Sequence, residues 1–116
     1  MAKKTNLKKS TLSLTIKERV LLPGILPSSG RKIEMILVRD LLERVEFTPL
    51  EIAEFNLKDL GDGRIVWDPR RERALEIELT NQQIELLKKA ANVLDEAGKV
   101  TTDNLPLLEK IDALSA

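Results

Sequence analysis

The residues best suited to chemistry in this chain are charged or aromatic, and they suit binding rather than bond making. Arg70, Arg71 and Arg73 lie close together in a polar loop, a few residues after the single tryptophan, Trp67. Guanidinium groups bind phosphates and carboxylates, and an exposed tryptophan often anchors a protein interface. We therefore predict that these residues contact a partner.

Each of these residues also has a plain structural interpretation. The arginines can form a solvated loop tip that Asp68 and Glu72 partly neutralise. Trp67 can belong to the core, because strand alternation puts it on the same face as Ile65. The sequence leaves both alternatives open.

A second basic cluster stands at the start of the chain. It consists of Lys3, Lys4, Lys8 and Lys9. We predict a flexible basic arm over residues 1–10, followed by a single globular domain over residues 11–114. Together with the loop arginines, these lysines could bind nucleic-acid phosphates, although a lysine-rich terminus also simply keeps the start of a chain solvated.

The composition excludes much of ordinary enzymology. The 116 residues include no Cys, His or Tyr, so disulfides, thiolate metal sites and imidazole acid–base catalysis are excluded. Glycine-rich nucleotide-binding motifs do not occur. Carboxylate pairs such as Glu43 with Glu46, and Glu76 with Glu78, are expected to be solvent-facing charges. We therefore predict no enzyme, no catalytic residue, no cofactor and no metal.

Charge and hydropathy are typical of a folded, soluble protein. Nineteen basic residues balance 19 acidic ones, and 42% of the residues are hydrophobic. This balance favours a globular domain over a disordered chain. No apolar run approaches the roughly 20 residues that a membrane span needs, so we expect a cytoplasmic chain without a membrane partner.

The start of the domain predicts a strand followed by a helix. Residues 11–16 alternate between polar and apolar, which is the pattern of a half-buried strand. Thr15 and Glu18 have the spacing of a capping box, in which each side chain satisfies a free backbone N–H at a helix N-terminus. Because Pro23-Gly24 is a helix-breaking pair, we predict that this helix ends there.

Two further helices are predicted before the middle of the chain. Apolar residues repeat with the helical period over residues 31–45, and a Thr48-Pro49-Leu50-Glu51 cap begins a short helix that reaches Asn56. In a winged helix-turn-helix this third helix would read DNA. Its Glu51 and Glu54 would instead repel phosphates.

A hairpin is predicted next. Residues 64–68 are rich in β-branched and aromatic side chains, and residues 74–79 alternate strictly, so they read as two strands joined by the arginine loop. The order strand, three helices, hairpin and two helices resembles that of a winged helix. We therefore predict an α+β fold, with a helical body packed on a small three-stranded antiparallel sheet.

The end of the chain predicts two more helices. Thr80 and Gln83 have the spacing of a capping box for the first. Thr101 or Thr102 is expected to cap the second, with Pro106 in its first turn. Its buried side is predicted to carry Leu108, Ile111 and Leu114.

Several stretches, spread over about residues 12–112, are similar to a known family. They are residues 14–22, 26–30, 37–41, 47–52, 65–68 and 76–79. These stretches resemble short uncharacterised proteins encoded in tailed-phage or prophage genomes, except that the family pattern would have a charged residue in place of Pro106. The resemblance implies a viral origin, and it carries over no activity and no site residues.

From these observations we expect a non-enzymatic phage accessory protein. It would act by binding another host or viral protein, in the infected cell or within a virion. The alternative is a winged-helix-like nucleic-acid-binding module that uses the basic arm and the loop arginines. A free sheet edge also leaves homo-oligomer formation open.

Overall fold

The structure, a computed structural model, describes residues 10–115 and confirms the predicted α+β class. The helices of this part are α1 (Ile16–Ile25), α2 (Lys32–Val45), α3 (Pro49–Phe55), α4 (Asn81–Glu96) and α5 (Leu105–Asp112). The strands are β1 (Thr11–Leu14), β2 (Lys58–Asp59), β3 (Ile65–Val66) and β4 (Leu75–Glu78).

The strands pair differently from the prediction. β1 pairs with β4, and β2 pairs with β3 in a separate antiparallel sheet. The three-stranded sheet is therefore wrong, and so is the hairpin between residues 64–68 and 74–79. A 3₁₀ turn over Pro69–Arg71, capped by the Asp68 side chain, stands where the hairpin loop was expected. Proline and an aspartate cap favour such a turn over a tight hairpin.

The pairing of β1 with β4 follows from their matching apolar faces. The antiparallel register brings the alternating apolar residues of both strands to one side of the sheet. These residues are Leu12, Leu14, Leu75 and Ile77. All but the half-buried Leu75 are buried. β4 therefore pairs with the distant strand β1, whose apolar pattern matches its own, and not with β3, which is closer in the chain.

The outer face and free edge of β4 are acidic. Glu76 and Glu78 are both exposed, as expected for solvent-facing charges. Leu79 donates its N–H to the carbonyl oxygen of Ser10. Because inward and outward backbone groups alternate along an antiparallel strand, the N–H and C=O groups of Glu76 and Glu78 point away from β1.

The core lies between the β1–β4 sheet and four of the helices. β1 contacts α1 and α5, while α4 packs against α1, α2 and α5. Fully buried side chains of these helices include Leu22, Leu41, Leu87, Leu107 and Ile111. Burial of each such side chain contributes about 2 kcal/mol.

α1 is longer than predicted, because it continues through Pro23 to Ile25. Proline lacks the N–H that would bond to the carbonyl four residues earlier, which costs the helix about 3 kcal/mol. The residues that follow, Ile25 and Leu26, are nevertheless buried in the core. Their burial offsets the local cost of the proline, so α1 continues past Pro23.

The predicted capping boxes are confirmed at three helices. Each threonine hydroxyl accepts a hydrogen bond from the backbone N–H three residues later, and the Glu or Gln at that position accepts one from the threonine N–H. The pairs are Thr15 with Glu18, Thr48 with Glu51, and Thr80 with Gln83.

α5 begins later than its predicted cap. The Thr101 hydroxyl accepts a hydrogen bond from the Asn104 N–H at 3.2 Å, so it closes the turn before the helix rather than the helix itself. Pro106 lies in the first turn, as predicted. The predicted inner residues Leu108, Ile111 and Leu114 are all buried.

Candidate functional site

The predicted arginine site lies on and just after the 3₁₀ turn, against α3. Arg70 pairs with Asp68, with 3.2 Å between Nε and Oδ1, and its side chain is 89% exposed. Arg71 lies 3.7 Å from the other oxygen of Asp68. Arg73 pairs with both oxygens of Glu54, on α3. Three arginines therefore share two carboxylates, and with Glu72 of the same loop included, these charges sum to about zero.

These pairs act on the carboxylates as well as on the arginines. The hydrogen bonds from Arg70 lower the pKa of Asp68, and those from Arg73 lower the pKa of Glu54. Both carboxylates are therefore ionised at neutral pH and hold their arginines in place. Asp68 partly neutralises the loop, as the structural interpretation predicted, whereas Glu72 has other partners.

Trp67 is half-buried, between the two interpretations that the sequence left open. Its indole Nε1 donates a hydrogen bond to Oε1 of Glu72 at 3.3 Å. The second oxygen of Glu72 accepts from the backbone N–H of Ile16, at the start of α1, at 2.8 Å. Glu72 thereby ties the loop to α1. The predicted lysines of the basic arm, Lys3, Lys4, Lys8 and Lys9, lie outside the described residues.

A surface groove that the sequence did not predict lies between α1, the C-terminal half of α2, the segment after α2, and β3. Its volume is about 460 Å³. The apolar lining consists of Val20, Pro23, Leu42, Val45, Phe47 and Ile65. Charged residues at its border are Arg19, Arg39, Glu43 and Glu46. Such an open apolar concavity suits a side chain from outside the molecule.

Arg19 fixes one wall of the groove from beneath. Its side chain is only 2% exposed, and its Nε and Nη2 donate to the carbonyl oxygens of Val45 and Glu46 at 3.1 and 3.0 Å. The guanidinium carbon also lies 4.0 Å from the ring centroid of Phe47. Arg19 therefore holds the end of α2 and the aromatic ring against α1.

Glu51 completes this buried cluster. Its two carboxylate oxygens accept from Nη1 and Nη2 of Arg19 at 2.9 and 3.0 Å. Glu51 also caps α3 through Thr48. The hydrogen bonds from Arg19 lower the pKa of Glu51 to about 2, although burial opposes them. The pair thus connects α1, α2 and α3, and four of the five guanidinium N–H donors are satisfied.

The β3 strand, whose Ile65 lines the groove, has a free backbone edge at that residue within residues 10–115. The N–H of Leu60 donates to the carbonyl oxygen of Arg64 at 2.9 Å, while Ile65 stands opposite Asp59. Ile65 is therefore a non-hydrogen-bonded position of the antiparallel pair, and its own N–H and C=O point away from β2.

The position of Arg19 in the sequence could have revealed its buried cluster with Glu51. Arg19 follows Ile16 by three residues and precedes Leu22 by three, so it lies on the buried stripe of α1. A charged residue there needs a buried partner. The groove itself had no such signal, because its lining comes from three segments that the fold brings together.

Within residues 10–115, no three acidic, histidine or cysteine side chains converge in a way that could hold a metal ion. No helix of this part is long and apolar enough to cross a membrane. Comparison with family models, with curated proteins and with solved structures found no match to this chain.

Proposed function

We propose that this chain is a non-enzymatic binding protein whose groove receives an apolar side chain of another protein. The observation that carries the proposal is the groove between α1, α2 and β3, with its six apolar lining residues. Water in contact with such a lining is released when an apolar side chain replaces it, which drives association.

The rigidity of the groove supports the same proposal. Arg19 joins the end of α2 to α1, and its pair with Glu51 adds α3. A surface that is already ordered loses little conformational entropy on binding. Hot spots of protein interfaces are commonly pre-formed pockets of this kind, which take an apolar or aromatic anchor.

The biological setting belongs to the same proposal. The chain would act as a phage accessory protein on a host or viral partner, in the cytoplasm of an infected cell or in a virion. The sequence resemblance described above is its only support.

Photo-cross-linking from the groove tests the function. A photo-reactive amino acid at Leu42, which is 36% exposed in the groove, is expected to give a discrete adduct with one partner protein in cells that naturally produce the chain. The cross-linked mass, measured on a denaturing gel and by mass spectrometry, identifies that partner.

The matched control is the same substitution at Ile33, another exposed apolar residue of α2 that does not line the groove. Ile33 is expected to give no such adduct. The absence of an adduct at Leu42, or an identical set of adducts at both positions, would contradict a role for the groove in binding.

Nucleic-acid binding is the second candidate, and the exposure of Arg70 is the observation that favours it. We expect random duplex DNA to bind wild type and an Arg70→Ala, Arg71→Ala, Arg73→Ala variant equally weakly, because Asp68 and Glu54 neutralise most of the loop. Gel retardation at several salt concentrations measures this.

A triple variant at Arg39, Arg44 and Arg64 serves as the control of equal charge. Retardation that falls steeply with salt and is lost only in the loop variant would establish phosphate contacts by the loop and would favour the second candidate.

A further inference from the structure

The border of the groove is acidic, and this bears on what the groove binds. Glu43 and Glu46 are exposed, and neither side chain forms an ion pair within residues 10–115. Arg19 is neutralised by Glu51, and Arg39 lies 3.9 Å from Asp40. Arg39 also lines the groove and offsets one of the two glutamates, so the charges lining the groove sum to about one negative charge.

Among residues 10–115, no cation other than Arg19 and Arg39 lines the groove. Arg44 belongs to the same turn of α2 as Glu43, but it does not line the groove. Arg64, next to Ile65 in the chain, is paired with Asp62 at 2.9 Å. An incoming apolar group accompanied by a cation would thus be favoured over one accompanied by an anion.

The free edge of β3 bears on the conformation of the ligand. Both backbone groups of Ile65 point away from β2 and have no partner within residues 10–115. An extended segment can satisfy both groups by pairing as an added strand. A helix cannot, because its own backbone groups are already bonded to each other.

We infer that the groove binds an extended segment of a partner protein in which an apolar residue is flanked by lysine or arginine. The segment pairs with Ile65, its apolar side chain enters between Leu42 and Phe47, and its cations lie near Glu43 and Glu46. This inference rests on the proposed function and specifies the partner that it requires.

Two fluorescein-labelled heptapeptides test the inference on the whole chain. One alternates lysine with valine and leucine, and the other has glutamate at every lysine position. We expect the lysine peptide to bind on the order of tenfold more tightly by fluorescence anisotropy at low salt. In amide NMR spectra it is expected to shift the signals of Leu42, Phe47 and Ile65.

Reversing the charge of Glu43 and Glu46 is the second part of the peptide-binding experiment. A Glu43→Lys, Glu46→Lys variant is expected to lose the preference for the lysine peptide. A Glu85→Lys, Glu96→Lys variant, altered at exposed residues of α4 with the same change in net charge, is expected to keep it. Circular dichroism checks that both variants fold, and a Glu43→Gln, Glu46→Gln variant gives the milder form of the same comparison.

The possible results distinguish the basic, extended ligand from the more general proposal that the groove binds a partner. Equal binding of both peptides at the groove would overturn the basic segment and leave the proposed function standing. Failure of both peptides while Leu42 still cross-links to a partner would overturn the extended basic ligand alone, and failure of the cross-link as well would overturn both. Concentration-dependent shifts of Leu42 and Ile65 without any peptide would assign the groove to a second copy of this chain and overturn the inference.

Discussion

Replacing Arg19 with methionine is expected to lower the free energy of unfolding by about 3–5 kcal/mol. Methionine keeps an unbranched side chain of similar length, so the contacts along α1 are largely retained. Four hydrogen bonds are lost, however, from a side chain that is only 2% exposed. The Glu51 carboxylate, which is 13% exposed, is left as a charge without its partner. Urea denaturation followed by Trp67 fluorescence measures the change.

Arg70→Met is the control for this variant. Its pair with Asp68 is almost as short, but the Arg70 side chain is 89% exposed and water screens the pair, so a far smaller loss of stability is expected than for Arg19→Met. A double variant that also carries Glu51→Met should lose less than the two single variants together, because no buried charge remains. If Arg19→Met unfolded at the wild-type urea concentration, the cluster would have no structural role.

Acidification from about pH 7 to about pH 2 is expected to remove about 3 kcal/mol of unfolding free energy through Glu51 alone. Hydrogen bonds from Arg19 lower the pKa of Glu51 from 4.5 to about 2 in the folded chain. A carboxyl with a lowered pKa in the folded state adds stability above its unfolded pKa, and this stability is lost as the pH falls toward the folded value. The loss is therefore expected between about pH 5 and about pH 2.

Glu51→Gln separates this effect from other acidic groups. At neutral pH the variant is expected to be less stable than wild type, and most of the difference should be lost by about pH 2, where Glu51 in the folded chain is about half protonated. Glu54→Gln is the control, because its exposed pair with Arg73 also lowers a pKa but is screened by water. Parallel stability curves for wild type and Glu51→Gln over this range would show that the pKa of Glu51 is not lowered by folding.

Features decided within one helical turn could be predicted from the sequence. A capping box needs only a threonine and a Glu or Gln three residues later, so Thr15, Thr48 and Thr80 could each be assigned as helix starts. The buried side of α5 followed from periodicity alone. These signals depend on neighbours in the chain and are insensitive to the rest of the fold.

Features decided by competition between distant segments could not be predicted. Two strands that precede β4 in the chain, the distant β1 and the neighbouring β3, could pair with it, and the local sequence pattern cannot show that β1 is the partner. Pro23 was assigned as a helix end because its local cost is visible, whereas the burial of Ile25 and Leu26 that offsets it depends on the assembled core.

The same limit applied to the candidate sites. The exposure of Arg70 could be expected from its polar loop, but Glu54, which holds Arg73, is 19 residues away in the chain. Glu51, the partner of Arg19, is 32 residues away. The groove exists only where α1, α2 and β3 meet, so no stretch of sequence describes it.

The acidic edge of β4 affects how copies of this chain behave together. A protein with zero net charge has little overall repulsion to keep its molecules apart. Antiparallel docking of two β4 strands about Ile77 would set Glu76 of each copy beside Glu78 of the other, and these like charges disfavour the contact. The chain thus carries a local safeguard against edge-to-edge aggregation that its overall charge does not supply.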